Sequence, residues 1–164
     1  MTGKRLAILV TAAVVAGAVV AGVGLATEGS SKPKHVLQID EVRGRIGQIV
    51  LGETQKDVVA VLGHPREVGY ASGDVLVYPK LRVAIRKGVV TGIETTDTGA
   101  ATLKVVRIGD PISSVRALYR KSSHCVPNTP DKTAPNPHCR VTVPAGVMIV
   151  HGDPIASIEL ARTG

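Results

Sequence analysis

Ile49–Leu62 reads IVLGETQKDVVAVL, and at an offset of 57 residues Val106–Tyr119 reads VRIGDPISSVRALY. Ile49, Leu51, Gly52, Glu53, Val58, Val61 and Leu62 fall on Val106, Ile108, Gly109, Asp110, Val115, Leu118 and Tyr119. Further on, Val90-Thr91-Gly92-Ile93-Glu94 matches Ile155-Ala156-Ser157-Ile158-Glu159 at an offset of 65. The eight added residues fall where Cys125 and Cys139 bracket VPNTPDKTAPNPH, so one insertion explains the change of offset. Self-similarity of this kind is the mark of a copied supersecondary unit.

Each copy has the same local grammar. Thr54 is placed to cap a helix, with Asp57 three residues on in a capping-box position. Val58, Val61 and Leu62 give an i, i+3, i+4 stripe, and Gly63 with Pro65 ends it. In the second copy Asp110 is the expected cap, Pro111 the first helical residue, and Ile112, Val115, Leu118 and Tyr119 the buried stripe. Apolar, β-branched strands follow: Asp74–Tyr78, Leu81–Arg86 and Val89–Thr95, then Cys139–Val143, Val147–Val150 and Ile155–Leu160. Bulges are expected at Thr91-Gly92 and Ala156-Ser157. The expected class is therefore α+β: two tandem helix(-helix)-plus-three-strand antiparallel units, about 46–97 and 103–162, sharing a sheet whose apolar face the helices cover. Neither unit alone would bury much surface.

One hydrophobic helix is expected ahead of this domain. Lys4-Arg5 precede Leu6–Ala26, which carries no charge and is long enough as a helix to span a bilayer. Residues 1–26 read as a signal anchor, or as a signal peptide cleaved after Ala26. Polar TEGSSKPKH, 27–35, reads as a linker, and 36–164 as the exported domain. Membrane contact is expected through Leu6 to Ala26, and the place is extracytoplasmic, single-pass if the segment stays and secreted if it is removed.

The 164 residues carry 20 Lys/Arg against 13 Asp/Glu, a net +7. The basic residues are scattered, so no nucleic-acid footprint is expected. Aromatics are 2%, only Tyr70, Tyr78 and Tyr119, which excludes a stacking platform for bases. Outside the cytoplasm, Cys125 and Cys139 are expected as a disulfide that clips the Pro-rich loop. The alternative is a metal held by His124-Cys125 and His138-Cys139, at spacings unusual for zinc. Ser123-His124 with Asp131 lacks a nucleophile elbow and a rigid support. Glu94 and Glu159 occupy equivalent positions, which duplication already explains. No catalytic residue, cofactor or metal is assigned.

LGETQKDVVAVLGHP (Leu51–Pro65), followed by a Tyr-containing strand and LRVAIRKGVVTGIE (Leu81–Glu94), resembles the small exported domains of the SmpA/OmlA type. Those share a helix–helix–three-strand unit with the β-lactamase inhibitory proteins, which carry it in tandem. VRIGDPISSVRALY and VMIVHGDPIASIE extend the resemblance more loosely over the second copy. The resemblance implies a non-enzymatic protein: the lipoproteins serve a membrane assembly machine, and the inhibitors clamp a protein with an exposed sheet face. This chain lacks the lipid-modified Cys of the former and the aromatic face of the latter. The expectation is an unidentified protein partner in the cell envelope, met on a face carrying Tyr78, Arg82 and Arg86; the alternatives are an envelope ligand-binding or sensor module and, behind it, an unrecognised hydrolase. Alternation along Leu81–Arg86 points Arg82 and Arg86 away from the Leu81/Val83/Ile85 side.

Overall fold

A computed structural model describes residues 37–69, 74–126 and 136–163. The segment 1–26, the linker 27–35, Tyr70 and Asp131 lie outside the described residues. Among the described residues no helix is long and apolar enough to cross a membrane. No transmembrane helix is found among the described residues, and the single-pass anchor has no support there.

The fold is mostly β, which corrects the α+β class expected from the helical stripes. Four short strands, β1 (Leu37–Asp40), β2 (Arg45–Ile46), β3 (Ile49–Val50) and β8 (Ala100–Thr102), form one sheet in the order β3-β2-β1-β8. Eight further strands form the second: β4 (Glu67–Gly69), β5 (Asp74–Tyr78), β6 (Leu81–Arg86), β7 (Val89–Thr95), β9 (Ser123–Val126), β10 (His138–Val143), β11 (Gly146–His151) and β12 (Ser157–Ala161). Their order is β4-β5-β6-β7-β12-β11-β10-β9, all antiparallel. Two four-stranded meanders, each traversed from the outside inward, therefore meet at the β7–β12 pair. Sequence reading gave three strands to each; the edge strands β4 and β9 are short, and their few apolar residues give no period of their own.

Only two helices are described, α1 (Gln55–Leu62) and α2 (Ser113–Leu118). Each contributes one wholly buried residue of its own, Val58 and Val115. Val61, Leu62 and Leu118, expected in the core, are 46%, 36% and 44% exposed. Helices of eight and six residues are too short to lay a full stripe on a sheet. The cover is supplied instead by Ile39, Ile46, Ile49 and Ala100 of the small sheet. These join Leu76, Val83, Ile93, Val141, Met148, Val150, Ile158 and Leu160 of the large one in a single buried cluster. Burial of aliphatic side chains at about 1.5–3 kcal/mol each is the main stabilising term.

The two stretches that open the sequence argument make matching contacts. Gly52 and Gly109 both have left-handed backbone, with φ of 92° and 95°. Their N–H groups donate to Val90 and Ile155 carbonyls, each at 2.8 Å. Val90 and Ile155 N–H donate back to the carbonyls of Glu53 and Asp110. The Glu53 carboxylate accepts from Val50 N–H, and the Asp110 carboxylate from Arg107 N–H. These pairs keep the offsets of 57 and 65. Asp110 therefore closes a turn rather than capping α2, whose first flanking residue is Ile112 with no side-chain cap of its own. Of the two expected bulges, one is seen: Ala84 pairs with Gly92 and Ile85 with Val90, leaving Thr91 as the extra residue.

Candidate binding face

One face of the eight-stranded sheet carries the core and the other carries alternate residues toward solvent. On β6, Val83 and Ile85 are buried while Arg82 and Arg86 are exposed. Cross-strand pairing extends that outer face as a row through Val77, Arg82, Glu94, Glu159, Ile149, Arg140 and His124. Glu94 and Glu159 stand directly opposite each other where the two meanders meet. Like charges so placed are destabilising. Arg82 Nη1 lies 4.0 Å from Glu94 Oε2 and offsets that carboxylate, and His151 Nε2 lies 3.8 Å from Glu159 Oε2. Such long, half-exposed pairs contribute at most about 1 kcal/mol each.

The neighbouring row is built from small residues: Val75, Ala84, Gly92, Ala161, Val147 and Thr142. Its centre, Ala84-Gly92-Ala161, carries almost no side chain, and Gly92 itself is buried between its neighbours. An open trough of about 610 Å³ results, with Glu159 on one flank and Arg86 and Arg162 on another. Carboxylate and guanidinium groups around an open trough suit a polypeptide surface, which offers both charges.

Tyr78 does not belong to this face. It is the alternate residue to Val77 on β5, only 8% exposed, and faces the core. Its hydroxyl donates to the Gly63 carbonyl at 3.0 Å, tying the end of α1 to the sheet. Burial raises that hydroxyl above the ordinary phenol range. The expectation that Tyr78 joins Arg82 and Arg86 is thereby corrected: its strand is apolar at four of five positions, so alternation alone does not fix the side on which Tyr78 lies. The structure brings Arg82 and Arg86 together and adds Glu94, Glu159, Arg140 and Arg162. The equivalence of Glu94 and Glu159 was visible in the repeat; that they face each other was not, because strand pairing across the junction has no local signal.

Cys125 and Cys139 are bonded, with Cα atoms 4.0 Å apart and a sequence separation of 14. They are register partners on β9 and β10, and Cys139 is wholly buried. His124 and His138 are their immediate strand neighbours and so project to the opposite face. The four-ligand metal arrangement is thereby dissolved, and among the described residues no group of three His, Cys, Asp or Glu is placed to hold a metal ion. Ser123 and His124 are likewise successive residues on β9, on opposite faces. A second open cleft, also about 610 Å³, runs between the end of α1, the small sheet and the β5–β6 turn, lined by Leu37, Ile46, Val61, Leu62 and Leu81, with Lys80 and Asp97 paired at 3.4 Å.

No family model matches the chain, and no curated protein matches it. Among solved structures, it is similar to an extracellular protein containing an SCP domain from Bacillus anthracis. The identity is 12% and the TM-score 0.53, over 68% of this chain and 44% of that one. The chain thus spans less than half the length of that protein. It is also similar to a DUF4309 family protein, YjgB, from Bacillus subtilis, at 14% identity and TM-score 0.53, over 75% of this chain and 90% of that one. Likeness at this identity concerns the fold.

Proposed function

We propose that this protein is an exported, non-catalytic module that captures a protein partner on the open face of its eight-stranded sheet. The observation that carries the reading is the open trough lined by Ala84, Gly92 and Ala161 and bordered by Arg86, Glu159 and Arg162, with Arg82 and Glu94 in the adjoining row. The Cys125–Cys139 disulfide fits an oxidising, extracytoplasmic compartment, as does the extracellular description of one structural neighbour. Clamping a protein on a sheet face is also what the resemblance to the β-lactamase inhibitory proteins implies. The test is site-specific photocrosslinking from Ala84 and Ala161, with Lys56 on α1 as the control position. A discrete adduct from the two trough positions, absent from Lys56 and abolished by Arg82→Glu with Arg86→Glu, is the expected result. Crosslinking that survives the double charge reversal removes this face from the reading.

A second reading, a ligand-binding module, is favoured by the apolar cleft beside Val61 and Leu62. It requires that an apolar small molecule protect the protein thermally and that Leu62→Asp abolish the protection.

A further inference from the structure

Val105 is a β-branched residue with φ of 67°, a left-handed conformation that such side chains rarely adopt, yet its side chain is 56% exposed. Strain held at a surface position with no burial in return points to a use for that position. Leu103 beside it is 44% exposed, Leu118 at the end of α2 44%, and Val42 after β1 56%. Four of the six exposed large hydrophobic residues described thus lie on three short segments.

One buried carboxylate ties those segments together. Glu41 is 4% exposed. Its Oε1 accepts from the Tyr119 hydroxyl at 2.7 Å and its Oε2 from the Leu103 N–H at 3.1 Å. Lys104 Nζ sits 4.5 Å over the Tyr119 ring and donates to the Leu118 carbonyl at 3.3 Å. The turn Leu103–Lys104–Val105 is therefore seated on the end of α2, with Val42 adjoining through Glu41. The same segments carry exposed Arg43, Lys104, Arg116, Arg120 and Lys121, and no exposed acid; Arg43 Nε lies 3.9 Å from the Asp40 carboxylate and Arg116 Nη2 donates to the Cys125 carbonyl at 3.4 Å.

We propose that this corner is a peripheral membrane-docking surface for an anionic lipid bilayer. The aliphatic tips of Leu103, Val105, Leu118 and Val42 enter the headgroup boundary, while the surrounding Lys and Arg heads meet lipid phosphate. Charge complementarity selects this occupant. Five cations facing five cations repel a second copy of the chain. A protein surface calls for charges of both signs, as the open sheet face offers, whereas the exposed side chains of this corner are aliphatic tips and cations. This surface is distinct from the open sheet face, so the inference stands or falls separately from the proposed partner capture.

The chain has no tryptophan, so one introduced at position 103 reports on this corner alone. Leu103→Trp in the full chain is titrated with vesicles of phosphatidylcholine, with and without phosphatidylglycerol, and with brominated acyl chains as quencher. Leu118→Trp serves as a second reporter and Ala84→Trp on the open sheet as control. The expected result is blue-shifted, bromine-quenched emission from positions 103 and 118 on the anionic vesicles, with position 84 unchanged. Lys104→Glu, Arg120→Glu and Lys121→Glu together should weaken that response about a hundredfold or more. Water-like emission on anionic vesicles overturns the proposal. So does a response equal on neutral vesicles and indifferent to charge reversal, and so does a blue shift that needs no lipid and grows with protein concentration, which assigns the corner to a second copy.

Discussion

The two halves of the large sheet seat a short helix in matching ways but hold its start by different means. In the first half the start of α1 is held locally. Thr54 accepts from Asp57 N–H, and the Asp57 carboxylate accepts from Thr54 N–H and its hydroxyl. Those hydrogen bonds keep the exposed Asp57 carboxyl below its ordinary pKa. At the offset of 57, Thr54 falls on Pro111, which has neither hydroxyl nor N–H. The second half therefore draws on a distant group: Asp153 Oδ1 accepts from Ile112 N–H across 41 residues. It also has two ties without counterpart in the first half, the Glu41–Tyr119 hydrogen bond and the disulfide. A capped helix needs only its neighbours; an uncapped one must be held by the rest of the fold.

The sharpest way to break this comparison is to charge the one residue each helix buries. Val58→Asp and Val115→Asp should each destabilise by about 3–5 kcal/mol in urea titration, because each leaves an unpaired buried charge. A tolerant Val115 would mean that α2 does not pack as α1 does. Next in size, Cys125→Ser with Cys139→Ser should cost about 3 kcal/mol and lower Tm, from reopening a loop of about 15 residues.

Tyr119→Phe should cost about 1–3 kcal/mol by depriving the buried Glu41 of a partner. It carries a pH signature. Burial holds the Tyr119 hydroxyl well above the ordinary phenol value of 10.0. Its folded pKa exceeds the unfolded one, so its stabilising effect is intact below about pH 10 and is lost progressively as pH rises above that. The Phe variant should lack this component of alkaline destabilisation, measured by denaturant titration from pH 8 upward.

Thr54→Ala and Asp153→Ala test the local and the distant cap directly, each at about 1 kcal/mol. The Thr54 variant should also lose the contribution of Asp57. That contribution is present above the ordinary carboxyl pKa and fades as pH falls through the lowered folded value. Smallest of all, Leu118→Asp should change stability by no more than about 0.5 kcal/mol, since that side chain already meets solvent. A loss of several kcal/mol would restore the helical stripe that the sequence pattern suggests.

Much of the sheet was legible in advance. Val83 and Ile85 alternating with Arg82 and Arg86 fixed the inner and outer faces of β6, because side chains on a strand alternate strictly. The repeat aligned Gly52 with Gly109 and Glu53 with Asp110, and the Thr54–Asp57 spacing marked the start of α1. The paired cysteines marked the disulfide. These are signals carried within a few residues, or by chemistry that depends little on distance.

What covers the sheet was decided only in three dimensions. The strands of the small sheet are two to four residues long, too short to show a period, and β1 pairs with β8 some sixty residues away. Helical spacing at Val61, Leu62 and Leu118 looked like a buried stripe, but spacing states which residues share a side and not whether anything lies against it. Tyr78 turned inward for the same reason, to reach the Gly63 carbonyl. Sequence alone determined the strand alternation, the cap of α1 and the cross-link. Tertiary structure decided which face stayed open, that Glu94 would confront Glu159, and that Glu41 would gather three exposed hydrophobic segments at one corner, because each depends on contacts between residues that the chain itself keeps far apart.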